Sequence, residues 1–218
     1  MSYTMTHLAI AKEINETIHI STDLPQFYIG SIAPDSVHFR ENYHGDMKKQ
    51  SHYNPNNKPW GNMSSVEECD EWLEYVLPKL NAPGNQPHSD FYWGCLVHIL
   101  SDIWNTRENF IKYREWCIIE DVPKDAYFNE QRNNDLFMFN DVEWKDEVWT
   151  HLSKARGETV SNIIKSDEVI QYRDYVFNTY VNSVTEPNYS KVYMTSDDNY
   201  EFIKNSAKEI CKLINELR

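Results

Sequence analysis

His98 and Asp102 stand four residues apart inside FYWGCLVHILSDIW (91–104), the most apolar stretch of the sequence. On a helix, positions i and i+4 share one face about one turn, ~5.4 Å, apart, so both side chains can reach a single ion. An imidazole and a carboxylate buried among apolar neighbours are costly unless each has a partner, because desolvation disfavours the charged form. A His–Asp hydrogen bond inside a core meets that demand as well as a metal does. The pair alone therefore leaves both readings open.

The chain has eight histidines, at 7, 19, 38, 44, 52, 88, 98 and 151, and five of them precede residue 53. His7 opens the first helical pattern, Asp35 follows Ile-Ala-Pro directly, and His52 lies in Ser-His-Tyr-Asn within a polar segment. Imidazoles mixed with carboxylates suit Zn²⁺, with Mn or Fe as alternatives, whereas an all-carboxylate set would point to Mg²⁺ or Ca²⁺. Such an ion brings the pKa of a bound water towards ~7 and neutralises charge on a phosphoryl oxygen. His38, Arg40 and His44 in SVHFRENYHG are candidates for outer contacts, proton transfer or phosphate binding, set against ordinary exposed loop positions. Asp135 could reach the same centre, but helix capping is its better explanation. His19, His88 and His151 carry no functional expectation. Trp60, Trp93 and Trp104 are expected in the core, though one of them could line a pocket.

These residues need helices to hold them. Leu8, Ile10, Ala11, Ile14 and Ile18 repeat at helical spacing over Thr6–Ile18, and a second, more buried helix is expected from Leu24 to Ala33, stopped by Pro34. Residues 40–63 are polar without a period, which predicts a long loop, possible as a lid. Ser64 and Ser65 followed by Glu67 and Glu68 form a capping-box signal for a helix to about Leu80, ended by Ala82-Pro83-Gly84-Asn85. The apolar stretch then predicts a buried central helix over about residues 89–116. After a polar stretch at 121–134, helical patterns recur at 136–155, 167–184 and 196–217. No strand pair or repeat is evident, so the fold class is all-α.

With 218 residues, 40% hydrophobic and 14% aromatic, the sequence suits one folded domain spanning 1–218. The net charge of −13 argues against nucleic acid as a partner. No apolar run is long enough for an integral membrane segment, no secretory signal precedes Lys12, and the four cysteines lack framework spacing, so a cytoplasmic location with reduced thiols is expected. P-loop, Rossmann, zincin and α/β-hydrolase motifs and an adjacent His-Asp pair are all missing from the sequence.

Taken in order, THLAIAK, GSIAPD, SHYNP and WGCLVHILSD (within residues 5–105) resemble the zinc-dependent phospholipase C family, in its branch of small bacterial cytoplasmic members. The resemblance implies that fold, and a zinc held by Asp35, His52, His98 and Asp102. It also implies a neighbouring ion that shares Asp102 and takes His7. The family's third metal uses two histidines after the central helix, and here no histidine lies between 98 and 151, so that site is expected to be absent or altered, with Glu108 at the offset of the first of them. The implied activity is hydrolysis of a phosphoester by activated water, with Asp35 and His38 as catalytic candidates and one or two ions. A small soluble phosphoester fits an acidic chain better than a lipid headgroup. The competing expectation is a non-catalytic protein with a structural metal or a polar core at the same residues.

Overall fold

A computed structural model describes residues 3–80, 89–123, 125–182 and 191–217. Among them the chain is all-helical: α1 (Thr4–Ile18), α2 (Leu24–Gly30), a 3-10 turn (Ala33–Phe39), α3 (Gly45–Ser51), α4 (Val66–Leu80) and α5 (Ser89–Asn105). A π turn (Thr106–Phe110) leads into α6 (Ile111–Glu120), followed by α7 (Ala126–Asp141), α8 (Lys145–Lys154), α9 (Ser166–Asn182) and α10 (Ser196–Leu217). The only strand-like pairing among the described residues is an isolated bridge between Val160 and Ile164. No helix there is long and apolar enough to cross a membrane.

The central position falls to α5, as its composition predicts: Leu96, Val97, Ile99 and Leu100 are fully buried, and α1, α2, α4 and α10 all pack on it. The closest approach is to α2, where two glycines face each other's backbone. A Cβ on Gly94 would fall on the Phe27 carbonyl oxygen, and one on Gly30 on the Phe91 carbonyl oxygen. That contact brings the end of α2 within reach of the polar residues of α5.

The N-terminus of α1 has no side-chain cap of its own. Asp135, midway along α7, supplies it, accepting from the backbone N–H of Met5 (2.8 Å) and Thr6 (2.9 Å) and from the Thr6 hydroxyl (2.9 Å). Capping is thus the role of Asp135, exerted on a helix far away in sequence. The capping box before α4 forms as expected, with Glu68 accepting from the Ser64 N–H at 2.7 Å and the Glu68 N–H pointing to Ser65 Oγ at 3.4 Å.

Four element boundaries differ from expectation. The second helix ends at Gly30, and Pro34 opens the 3-10 turn, where its missing N–H costs nothing. Residues 40–63 are not all loop, since α3 lies inside them. The central helix is interrupted after Asn105 by the π turn, which inserts an extra residue per turn. The pattern at 136–155 is two helices, and α7 starts ten residues earlier than expected because its inward face is polar: Glu130, Gln131, Asn133 and Asn134 are buried. The expected turn at 82–85 and His88 lie outside the described residues. All four cysteines are buried free thiols.

Candidate metal centre

Five predicted side chains converge beneath the α2–α5 contact. His7 comes from the first turns of α1, Asp35 from the 3-10 turn, His52 from the C-terminal end of α3, and His98 and Asp102 from one face of α5. His52 Nε2 lies 3.4 Å from Asp35 Oδ1, 3.4 Å from Asp102 Oδ2 and 3.1 Å from His98 Nε2. His98 Nε2 is 3.7 Å from Asp35 Oδ1, and His7 Nε2 is 3.6 Å from Asp102 Oδ1. Ligand atoms held tetrahedrally at ~2.0–2.1 Å from a zinc stand ~3.3 Å from one another. The observed spacings fall around that value. His7, Asp35 and His98 form one ligand set and His52, His98 and Asp102 another, each with its atoms within 4.8 Å of one another. The two overlap at His98, so the five residues form one cluster.

The outer hydrogen bonds fix which ring nitrogen faces inward. His98 Nδ1 lies 2.8 Å from the carbonyl oxygen of Ser31, which can only accept, so Nδ1 carries the proton. His52 Nδ1 donates in the same way to the Lys48 carbonyl at 2.9 Å. Ser101 donates its own hydrogen to the His98 carbonyl, so at 2.7 Å its oxygen accepts from His7 Nδ1. With Nδ1 so engaged, each ring turns its Nε2 towards the others and towards two carboxylates. His7 Nε2 is buried without a hydrogen-bond partner.

Electrostatics keep His7 and His52 neutral at neutral pH. Burial pushes the His52 imidazole down to about 4, with Lys48 and His98 adding to the effect, and burial followed by the neighbouring His98 holds His7 well below its ordinary value. Burial alone would raise the Asp102 carboxyl, but His7 foremost among its neighbours outweighs it and leaves it at about 2. Lone pairs facing lone pairs and anions are repulsive unless a cation lies among them. The donor set therefore fits a divalent ion, and mixed imidazole and carboxylate ligands favour zinc among the common choices. Partners on the outer nitrogens are what metal-binding histidines ordinarily have.

Lys48, which sequence reasoning missed, enters from α3 with its ammonium 2.6 Å from Asp35 Oδ1 and 3.2 Å from His38 Nε2. It is buried, and it lies one helical turn before His52. Its only sequence signal is that spacing, which needs the unforeseen helix α3. Lys48 holds the Asp35 carboxyl well below the usual range against the upward push of burial. That suits Asp35 as a ligand better than as a proton acceptor. His38, kept low by burial and by Lys48, stands one step out from the cluster and receives the Lys48 proton donor.

The remaining candidates lie elsewhere. Arg40 is committed to Glu168 by two bonds of 2.8 and 2.7 Å and to the Ile163 carbonyl, tying the 3-10 turn to α9. His44 is exposed beside Asp46. Glu108 pairs with Lys112 at 2.8 Å on the surface, so no replacement for a third metal ligand is assembled through it. Trp60 packs edge-on against the His52 ring at 4.6 Å, and Trp72 is core and donates to the His52 carbonyl. His19 ends α1 in a left-handed conformation, and His151 faces Glu147. Set against protein-family models, curated proteins and solved structures, the chain matches none.

Proposed function

We propose that the protein is a metal-dependent hydrolase of phosphoester bonds, related in its chemistry to the zinc-dependent phospholipases C that its motifs resemble. His7, Asp35, His52, His98 and Asp102 would hold one or two divalent ions, zinc first and manganese or iron as alternatives. The observation that carries this reading is the set of three Nε2 lone pairs and two carboxylates at ligand spacing, with every outer nitrogen already committed. When bound, such an ion supplies an acidified water and neutralises charge on a phosphoryl oxygen.

The chain's own residues do the rest. Ser31, Lys48 and Ser101 fix the three imidazole tautomers, and Trp72 anchors the backbone of His52. Asp35 is the member with a solvent-facing edge, its side chain 14% exposed against 0–1% for the other four. An incoming group therefore meets the centre on the Asp35 side, beside the Lys48 ammonium. A purely structural site closes its coordination sphere, and the solvent-facing edge of Asp35 supports the reading of a site that water reaches.

The test is elemental analysis of protein purified without chelator or histidine tag, beside His98→Ala and Asp102→Ala. About one or two equivalents of zinc, manganese or iron in the wild type, lost in both variants, is the expected result. Hydrolysis of a soluble phosphomonoester or phosphodiester should vanish with the metal. A wild-type protein that neither carries metal nor takes it up on titration overturns the proposal and leaves a buried polar network neutralised in part by Lys48.

A further inference from the structure

Asp35, His38 and Lys48 also form one wall of a cavity of ≈ 860 Å³ bounded by the 3-10 turn, α3, α7 and α9. Cavities that bury a small ligand commonly hold ~300–1,000 Å³. The Arg132 side chain from α7 lines the same cavity and has no ion-pair partner among the described residues. The other carboxylate on the wall, Asp135, is fully used by Met5, Thr6 and Tyr180. Two cations thus face a space whose anions are already committed, one to a helix end and one to the centre.

The lining is also aromatic. Tyr172 and Tyr175 stack with centroids 6.3 Å apart at 20°, and Phe39 lies 5.5 Å from Tyr175. Phe39, Phe128 and Tyr175 are 37%, 36% and 52% exposed, so large apolar rings are left in water around the cavity. Contiguous apolar surface of this kind marks a place where something binds.

We infer that this cavity binds a phosphate monoester whose alcohol carries an aromatic ring, the dianionic phosphate held by Lys48 and Arg132 on the Asp35 side and the ring among Phe39, Tyr172 and Tyr175. The inference rests on the proposed metal-dependent phosphoester chemistry and names its substrate class. The choice of a monoester follows from the two cationic side chains in the lining, Lys48 and Arg132. A monoester dianion offers a charge to each of these two cationic groups, whereas a diester anion offers one between them. The flat, stacked rings select an aromatic group over an alkyl chain by offset stacking.

Phenylphosphonate, which has the dianion and the ring but no ester bond, is the probe. Its binding to the zinc-loaded protein is measured by calorimetry beside methylphosphonate, hexylphosphonate and the monoanionic monomethyl ester of phenylphosphonate. Phenylphosphonate should bind at least about tenfold more tightly than each of the other three, and Arg132→Gln should lose at least about tenfold for it with zinc content unchanged. Tyr175→Ala should narrow the gap between the phenyl and methyl compounds. Equal affinity in Arg132→Gln, a preference for the hexyl chain, or no binding by protein that carries its zinc overturns the cavity assignment and leaves the metal centre standing. A protein that takes up no zinc overturns the functional reading, and the cavity assignment with it.

Discussion

At the scale of single residues, the centre is governed by which proton each imidazole keeps. A surface histidine titrates near 6.5, so a site built from such residues sheds its metal as the pH falls through that value. Here burial pushes His52 down to about 4 and holds His7 well below its ordinary value. The fold refuses the proton that the unfolded chain accepts below pH 6.5, so His52 costs stability progressively as pH falls from there to about 4. For the metal the same shift has the opposite consequence, because proton competition is deferred. Zinc occupancy, read by equilibrium dialysis, is expected to stay flat from neutral pH to about 5 and to be lost as pH falls to about 4. Release centred near 6.5 would contradict the buried, Nδ1-protonated rings.

At the scale of elements, the site depends on how closely α2 meets α5. Ser31, the residue after α2, presents the carbonyl that fixes His98, and it can do so because Gly30 and Gly94 let the two backbones touch. Gly94→Ala gains helix propensity but places a methyl group on the Phe27 carbonyl, so the helices must separate. Overpacking of this kind typically costs ~1–3 kcal/mol. Urea unfolding should show a loss of that order together with weaker zinc binding, because Ser31 moves with α2. Unchanged stability and affinity would show that the contact is not what positions His98. The same element scale explains how far the sequence was readable. His98 and Asp102 were legible as a pair because an apolar helix makes polar residues conspicuous, and α1, α4 and α10 because their apolar periods are local, α4 with a capping box of its own. Asp35 and His52 lie in segments without a period, and only the motif resemblance singled them out. Lys48 was hidden because α3 is seven residues long, with no apolar stripe to announce it. The early turns of α7 were hidden for a related reason: Glu130 and Asn134 are buried against the backbone of Tyr193, Met194 and Thr195, far away in sequence.

At the scale of the whole molecule, the five candidate ligands join parts of the chain from residue 7 to residue 102 across α1, the 3-10 turn, α3 and α5. One apolar cluster runs from Met5 to Ile214 and takes in side chains of α1, α2, α4, α5 and α7 to α10. The centre is embedded in that cluster, with His52, His98 and Asp102 surrounded by it and nearly inaccessible to water. An ion bound there stabilises the entire cooperative unit, since the unfolded chain cannot bring the same five groups together. At a free zinc concentration 100 times the dissociation constant the gain is ~2.7 kcal/mol. For a domain of this size each kcal/mol moves the unfolding midpoint by about 2–4 °C. Adding a chelator to the wild-type protein should therefore lower its midpoint by ~5–11 °C in a single transition. His98→Ala should already unfold at a lower temperature and should not respond to the chelator. An unshifted wild-type midpoint, with zinc verified as bound beforehand, would mean that the ion sits outside the buried cluster, on a surface that can lose it without disturbing the core. A chelator-sensitive midpoint in His98→Ala would place the ion on ligands that do not include that residue.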